Sequence, residues 1–296
     1  MLGELTTTTK RTLVRALALL AAVALWGCGG GGVVVAPPPP APPEPSLLVV
    51  LPGQSFEAGV GVTGAPDAQV ADALFAIELI AVDEDFQPYT DFAATVGVFS
   101  SDPATPVPLA TTFPTGEGVE ARVQLNIRPI TAGSGNTLTP VHIADEPLVA
   151  VESDPFSVNA GAATRLITLL PGQSVIPALP LPVRSPAAAA QQVGVSYQVR
   201  VLATDSVGNT VGSAAGSVSI LTSDPRDIEP ANAPLSNGQA SFTINPIFAQ
   251  PNAFIRATTA GLSAGFSDDH VVLSQPAQDL YVLLPTQSLR VDQAGA

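Results

Sequence analysis

Phe75-Ala76-Ile77-Glu78-Leu79-Ile80-Ala81-Val82-Asp83 and Tyr197-Gln198-Val199-Arg200-Val201-Leu202-Ala203-Thr204-Asp205 align without a gap at an offset of 122 residues. Phe75, Ile77, Leu79 and Ala81 point one way while Ala76, Glu78 and Ile80 point the other. Tyr197, Val199, Val201 and Ala203 alternate in the same way against Gln198 and Arg200. A period of two marks a strand with one buried face. In the same register, Ser101-Asp102-Pro103 pairs with Ser223-Asp224-Pro225. Leu125-Asn126-Ile127-Arg128-Pro129-Ile130 recurs as Phe242-Thr243-Ile244-Asn245-Pro246-Ile247. Leu48-Val49-Val50-Leu51-Pro52-Gly53-Gln54-Ser55 recurs as Ile167–Ser174, and a third time as Tyr281–Ser288. Three blocks in the same order, at offsets of 119, 122 and 117, make a tandem repeat with a period near 115 residues.

Further strands are expected at Thr95–Ser100, Ala121–Ile127, Pro140–Ala144 and Ser157–Leu170, with counterparts at Ser217–Leu221, Ala240–Ile244, Ala253–Thr258 and Val271–Leu284. Asp83-Glu84-Asp85, Gly133-Ser134-Gly135-Asn136, Val207-Gly208-Asn209 and Ser236-Asn237-Gly238 read as turns. About seven short strands per repeat is the arithmetic of an antiparallel β-sandwich. The sequence therefore predicts an all-β protein, with domains at 47–160 and 161–277 and a first strand alone at 278–296. That last strand reads either as a cap on the second domain or as the start of a repeat cut short.

Composition agrees with a globular chain. Its 30 Pro and 25 Gly would permit low complexity, but hydrophobic residues make up 46% and the mean hydropathy is +0.35. Aromatics are only 5%, so the core must be built from aliphatic side chains. The single Cys excludes a disulfide framework, and a net charge of −14 excludes a nucleic-acid footprint.

In the second repeat, Asp205-Ser206-Val207-Gly208-Asn209, Ser223-Asp224-Pro225 and Asn237-Gly238-Gln239-Ala240-Ser241-Phe242 follow in order. This resembles the bacterial immunoglobulin-like domains found in tandem on surface and secreted proteins, and implies that fold without implying an activity. The first repeat departs from the pattern, with Phe86-Gln87 where Gly208-Asn209 stands. The core disulfide and Trp of antibody domains are absent.

The N-terminus reads as an address. Lys10, Arg11 and Arg15 precede the apolar stretch Leu13–Leu25, which is too short to span a bilayer comfortably. Leu25-Trp26-Gly27-Cys28 then resembles the lipobox of bacterial lipoproteins, although Trp26 departs from the small or aliphatic residue usual there. The resemblance implies a signal peptide at 1–27, acylation of Cys28 as the new first residue, and membrane attachment through it. With Gly29 following Cys28, it implies an outer-membrane or cell-surface location. An uncleaved signal anchor and an ordinary signal peptide before a stray Cys are the other readings. Residues 28–46, with Gly29–Gly32 and the run Ala36–Pro45, read as a tether rich in polyproline II.

Cleavage would leave 24 acidic residues against eight Arg, a net of −16. The charge is uneven. Residues 47–160 hold 15 acids and two Arg, residues 161–277 six acids and five Arg.

Candidate chemistry is sparse. Asp83 and Asp85, with Glu84 between them and Asp91 nearby, form the densest acidic cluster and read either as a calcium-binding loop or as a solvated turn. No other cofactor is expected. His142 and His270 fall in different repeats at non-equivalent places, so no catalytic constellation is expected. Tyr89, Phe86, Phe92 and Phe113 are the one set of aromatics that could form a carbohydrate platform. Asp102-Pro103, Asp224-Pro225, Pro52-Gly53 and Pro171-Gly172 read as structural turns, and Leu179-Pro180-Leu181-Pro182 as an extended edge loop. The expected function is a non-enzymatic envelope lipoprotein whose repeats act as a spacer or adhesion module toward a protein or glycan partner. The alternative is a lipoprotein that binds a carbohydrate or small ligand.

Overall fold

The apolar run Leu47–Leu51 is buried on both faces, which a half-exposed edge strand would not be. In the computed structural model, which describes residues 46–106, 110–143, 149–276, 282, 285 and 286, this run belongs to β1 (Ser46–Val50). The chain turns at Pro52-Gly53 into a hairpin of β2 (Gln54–Glu57) and β3 (Gly61–Gly64). Phe56 and Val62 of that hairpin, with Phe86, cover the outer side of Leu48, Val50, Ile80 and Val82. The inner side faces the main core. This explains why the opening strand is continuously apolar while its neighbour alternates only over its first half.

The first sandwich continues through β4 (Gln69–Val70), β5 (Phe75–Val82), β6 (Thr95–Ser100), β7 (Thr111–Thr112) and β8 (Arg122–Ile127). It closes with β9 (Gly133–Asn136), β10 (Leu138–His142), β11 (Val149–Ala150) and β12 (Phe156–Asn159). One sheet has the order β11-β1-β5-β8; the other side consists of β10-β6-β7 and β4-β12-β9. The opening strand changes sheets: β1 pairs antiparallel with β5, and β4 pairs in parallel with β12.

The second sandwich repeats the plan. Its strands are β13 (Arg165–Leu169), the hairpin β14 (Ser174–Ile176) and β15 (Val183–Ser185), β16 (Gln191–Gln192), β17 (Tyr197–Thr204) and β18 (Ser217–Thr222). They continue as β19 (Ala233–Pro234), β20 (Gln239–Ile244), β21 (Gln250–Ala253), β22 (Ile255–Thr258), β23 (Gly265–Phe266) and β24 (His270–Leu273). The orders are β13-β17-β20, β19-β18-β22-β23 and β16-β24-β21, and β16 again runs parallel to the last strand. The main strands β1, β5 and β8 on one side against β6, β10 and β12 on the other, and β13, β17 and β20 against β18, β22 and β24, make the Greek-key arrangement of an immunoglobulin-like sandwich. Among the described residues every regular element is a strand, and no strand of 46–159 pairs with one of 165–273. The fold is all-β, with immunoglobulin-like sandwiches in tandem.

Four expected elements differ: Val271–Leu284 is strand only to Leu273 in β24, with Ser274–Pro276 outside any strand, and Ala253–Thr258 is divided between the end of β21 and β22. The single strand expected over Ser157–Leu170 is two, β12 and β13, because Ala160–Thr164 is the crossing from one sandwich to the next. Gly133–Asn136, expected as a turn, is β9: its backbone pairs with β12 across a bulge, so ladder bonds rather than side chains make the strand. Ser236–Gln239 is the tight turn expected. Asn237 and Gly238 have φ of 49° and 71°, and a Cβ on Gly238 would sit 2.3 Å from the Val211 carbonyl oxygen.

The two cores differ at one equivalent pair. Phe75 and Phe156 meet edge-on in the first sandwich, with centroids 5.8 Å apart; Tyr197 and His270 take their places in the second, 6.0 Å apart. Tyr197 Oη lies 3.2 Å from His270 Nε2. Burial, and then the charges of Asp227 and Asp224, push the Tyr197 hydroxyl up to about 12. Burial pushes His270 below a free imidazole's 6.5, against the carbonyls of Asp268 and Ala253 and the charge of Asp269. The unfolded chain therefore takes up the proton first, so stability is lost as pH falls below about 6.5. Thermal unfolding should show that loss between neutral and mildly acidic pH, and the pair Tyr197→Phe with His270→Phe should flatten it. Parallel curves for the two proteins would show that His270 is not the group responsible.

Candidate functional site: the joint between the sandwiches

Asp205 ends β17, and its carboxylate organises the loop that follows. Oδ1 accepts the amides of Val207, Gly208 and Asn209 at 3.1, 2.9 and 2.8 Å, and Oδ2 accepts the Asn209 side-chain amide at 2.9 Å. The loop is thus folded on its own carboxylate before it touches anything else. Gly208 has φ of 104°, and a Cβ there would sit 2.4 Å from Pro182 Cβ, because the loop between β14 and β15 packs against it. The Ala178 amide bonds the Val207 carbonyl at 3.1 Å from the same side. The Leu179–Pro182 stretch, expected as an edge loop, lies in the loop of the β14–β15 hairpin, and its Pro182 braces Gly208.

Held this way, the loop enters the first sandwich. Val207 is 1% exposed and belongs to the same buried cluster as Phe75, Ile127, Ile130, Phe156 and Val158. Asn209 bonds both ways across the joint: its Nδ2 donates to the Ile130 carbonyl at 2.7 Å, and its Oδ1 accepts the Ala132 amide at 2.8 Å. Asp205 Oδ2 accepts the Gly161 amide at 3.0 Å, tying down the crossing segment. At the rim, Ser206 Oγ donates to Asp72 Oδ2 at 2.7 Å, and Arg128 pairs with Asp72 Oδ1 at 2.6 Å.

The receiving turn is fixed by another repeated motif. Asp102 Oδ2 accepts the Ile130 and Thr131 amides at 3.2 and 2.8 Å, and Oδ1 accepts the Ala104 amide at 3.0 Å. The hydroxyls of Thr105 and Thr131 complete the set, each at 2.9 Å. Burial alone would raise Asp102; the bonds from the Thr131 and Ala104 amides and from the two hydroxyls outweigh it and hold the carboxyl below the usual range. The three motifs that define the repeat thus converge. Asp102 positions the Ile130–Ala132 turn, that turn binds Asn209, and Asp205 binds Asn209 from behind.

Asp83 and Asp85 occupy the equivalent loop of the first sandwich. Asp83 Oδ1 accepts the amides of Asp85 and Gln87 at 2.9 and 2.8 Å, the counterpart of the Asp205 lock. Asp85 stands at the position of Val207 and is exposed. Phe86, in the place of Gly208, has φ of 58° and packs against the cluster of Leu48, Val50, Ile80 and Val82. Among the described residues no group of three or more His, Cys, Asp or Glu side chains is placed to hold a metal ion. Of the expected aromatic platform, Phe113 is buried at 2% exposure, while Tyr89 and Phe92 are partly buried against the same core. Tyr89 and Phe92 meet at 5.6 Å and Phe92 and Phe113 at 6.2 Å, both pairs tilted. His142 lies on β10 and His270 on β24, so the two remain in separate sandwiches. Cys28, the 1–27 segment, the tether up to Pro45 and Asp145-Glu146 lie outside the described residues, as does most of 278–296.

Sequence reasoning placed Asp205, Gly208 and Asn209 in a motif but missed their role. The available signal was Val207, an apolar residue at a turn tip where its counterpart in the first repeat is Asp85.

No family model and no curated protein matches the chain. Among solved structures, the chain is similar to FdeC, an Escherichia coli adhesin, at 14% identity and a TM-score of 0.29, covering 78% of this chain and 64% of that one. It is also similar to a glycosyl hydrolase family 2 member from Bacteroides cellulosilyticus, at 10% identity and a TM-score of 0.28, covering 79% of this chain and 29% of the enzyme. A red sea bream transglutaminase gives 9% identity and a TM-score of 0.25, covering 78% of this chain and 32% of that one. The chain spans less than two thirds of the length of each of these three proteins. The fold assignment stands on strand order and register, and these likenesses add nothing to it.

Proposed function

We propose that this chain is a non-enzymatic lipoprotein of the cell envelope, held to a membrane through acylated Cys28, whose two sandwiches act as a stiff spacer and interaction module. The observation that carries the spacer role is the burial of Val207 in the core of the preceding sandwich. A valine seated there contributes about 1.5–3 kcal/mol, and the flanking hydrogen bonds fix its direction. Two sandwiches joined this way resist bending where a bare linker would let them swing. The uneven charge suits the same role. The sandwich next to the tether carries 15 acids against two Arg, so anionic lipid repels it and the array stands off the surface. The adhesive part of the proposal concerns an unidentified protein or glycan.

Anchoring is tested at Cys28. Several buried acyl chains hold a protein on a bilayer almost irreversibly, at about 0.8 kcal/mol per methylene. Cys28→Ser should move the protein from the membrane fraction to the soluble one. A variant that still sediments with membranes would overturn the lipid anchor.

A further inference from the structure

The socket that receives Val207 is built from backbone groups that recur at the corresponding end of the second sandwich. In the first, the Ala71 amide bonds the Asn159 carbonyl at 2.8 Å and the Asp72 amide bonds the Pro129 carbonyl at 2.7 Å. In the second, the Val193 amide bonds the Leu273 carbonyl at 3.0 Å and the Gly194 amide bonds the Pro246 carbonyl at 2.8 Å. Asp224 Oδ2 accepts the Ile247 and Phe248 amides at 2.9 and 2.8 Å, as Asp102 does those of Ile130 and Thr131. The groups that bind Asn209 in the first socket, the Ile130 carbonyl and the Ala132 amide, therefore have counterparts in the Ile247 carbonyl and the Ala249 amide.

Coverage differs. Ile130 and Ala71 are buried beneath the loop of the second sandwich, whereas Ile247 and Val193 are half-buried. Val195 and Phe248 beside them are 50% and 42% exposed. The charged rim does not recur, since Gly194 and Asn245 replace Asp72 and Arg128. Instead the Arg226 guanidinium lies over the Phe248 ring, 5.9 Å from its centroid, where the first sandwich has Ala104.

We propose that it is a second socket, and that its occupant is the Asp-x-x-Gly-Asn loop of a further immunoglobulin-like repeat joined through residues 274–284. The connecting sequence fits that occupant. Ser274–Leu284 aligns without a gap with Ala160–Leu170, so the sequence from the end of β24 to the third copy of the opening motif has the same length as that from the end of β12 to the second copy. A covalent link also raises the effective concentration of the loop at the socket. A second copy of this chain is a poorer occupant: its Asp205 loop is already seated, and its Asp83 loop presents Asp85 and Phe86 where the seated loop has Val207 and Gly208.

The test extends the chain, replacing residues 279–296 with a copy of Arg165–Ala277. Amide hydrogen exchange at Ala249 is then compared with the chain as it stands. Exchange at Ala249 should slow at least about tenfold, the effect of about 1.4 kcal/mol of closing free energy, and changing the copy's equivalent of Asn209 to Ala should abolish the gain. A second extension, built from residues 46–160 with Asp85→Val, Phe86→Gly and Gln87→Asn, should give the same protection. If the appended core is protected while Ala249 is unchanged in both extensions, the socket does not exist as described. If Ala249 becomes protected in the two-sandwich chain as its concentration rises, the occupant is a second copy and the proposal fails. None of these outcomes depends on Cys28, so they are separable from the anchoring test.

Discussion

Val207→Asp is expected to part the two sandwiches while leaving each folded. The side chain is 1% exposed within the first core, so the substitution forfeits about 1.5–3 kcal/mol of burial and sets a carboxylate among Ile127, Ile130 and Phe156. A buried unpaired carboxylate costs several kcal/mol more, which the chain avoids by withdrawing the loop. Withdrawal breaks the Asn209 bonds to Ile130 and Ala132 and the Gly161 bond to Asp205. It leaves the Asp205 lock intact, because that lock is internal to the loop. Two measurements follow. Exchange at the Ala132 amide should accelerate at least about tenfold while amides in β5 and β17 keep their protection. Small-angle scattering should change from one fixed arrangement to a distribution of interdomain angles. The natural control is already present, since Asp85 holds this position in the first sandwich and is exposed. Unchanged Ala132 exchange in the variant would show that Val207 does not hold the joint.

The strands were legible because their signal is local. Phe75–Val82 and Tyr197–Thr204 alternate over their first halves, and β6 has the bounds Thr95–Ser100 expected from its apolar centre. Repetition then supplied the plan of the second sandwich from the first. The outer hairpins were not legible. Gln54–Gly64 carries few apolar residues, and only the double-sided burial of Leu48 and Val50 reveals that something lies over them. The joint was hidden for a different reason. Asp205–Asn209 satisfies every rule for a surface turn, and nothing within five residues tells a turn facing water from one facing another domain. Comparing Val207 with Asp85 would have raised the question, because the lock is shared and the tip is not. The burial of Phe113, and in part of Tyr89 and Phe92, was not legible either. These residues lie in loops, where alternation says nothing about facing, and the sandwich uses them to close its core.

Asp102→Ala should be the most damaging single substitution in the first sandwich. Five donors converge on this carboxylate, three backbone amides and two hydroxyls, and the residue is only 6% exposed. Truncation leaves those five donors without their acceptor, an expected loss of about 3–5 kcal/mol in urea unfolding. Asp102→Asn should fall between, since one carboxamide oxygen can accept where its nitrogen cannot. Because the Asp102 carboxyl is held below its usual range, its stabilisation is present above an unfolded Asp's 3.8 and is lost as pH falls through the lower folded value. The Ala variant should lose that part of the acid limb. Asp224→Ala separates local from transmitted damage. Asp224 braces the equivalent turn through the amides of Arg226, Ile247 and Phe248, but the Asn209 bonds all go to the turn braced by Asp102. Both substitutions should destabilise their own sandwich, while only Asp102→Ala should also speed exchange at Ala132 under conditions where the first sandwich remains folded. If Asp224→Ala loosened the joint equally, or Asp102→Ala left it closed, the Ile130–Ala132 turn would not be the element through which the repeat motif reaches its neighbour.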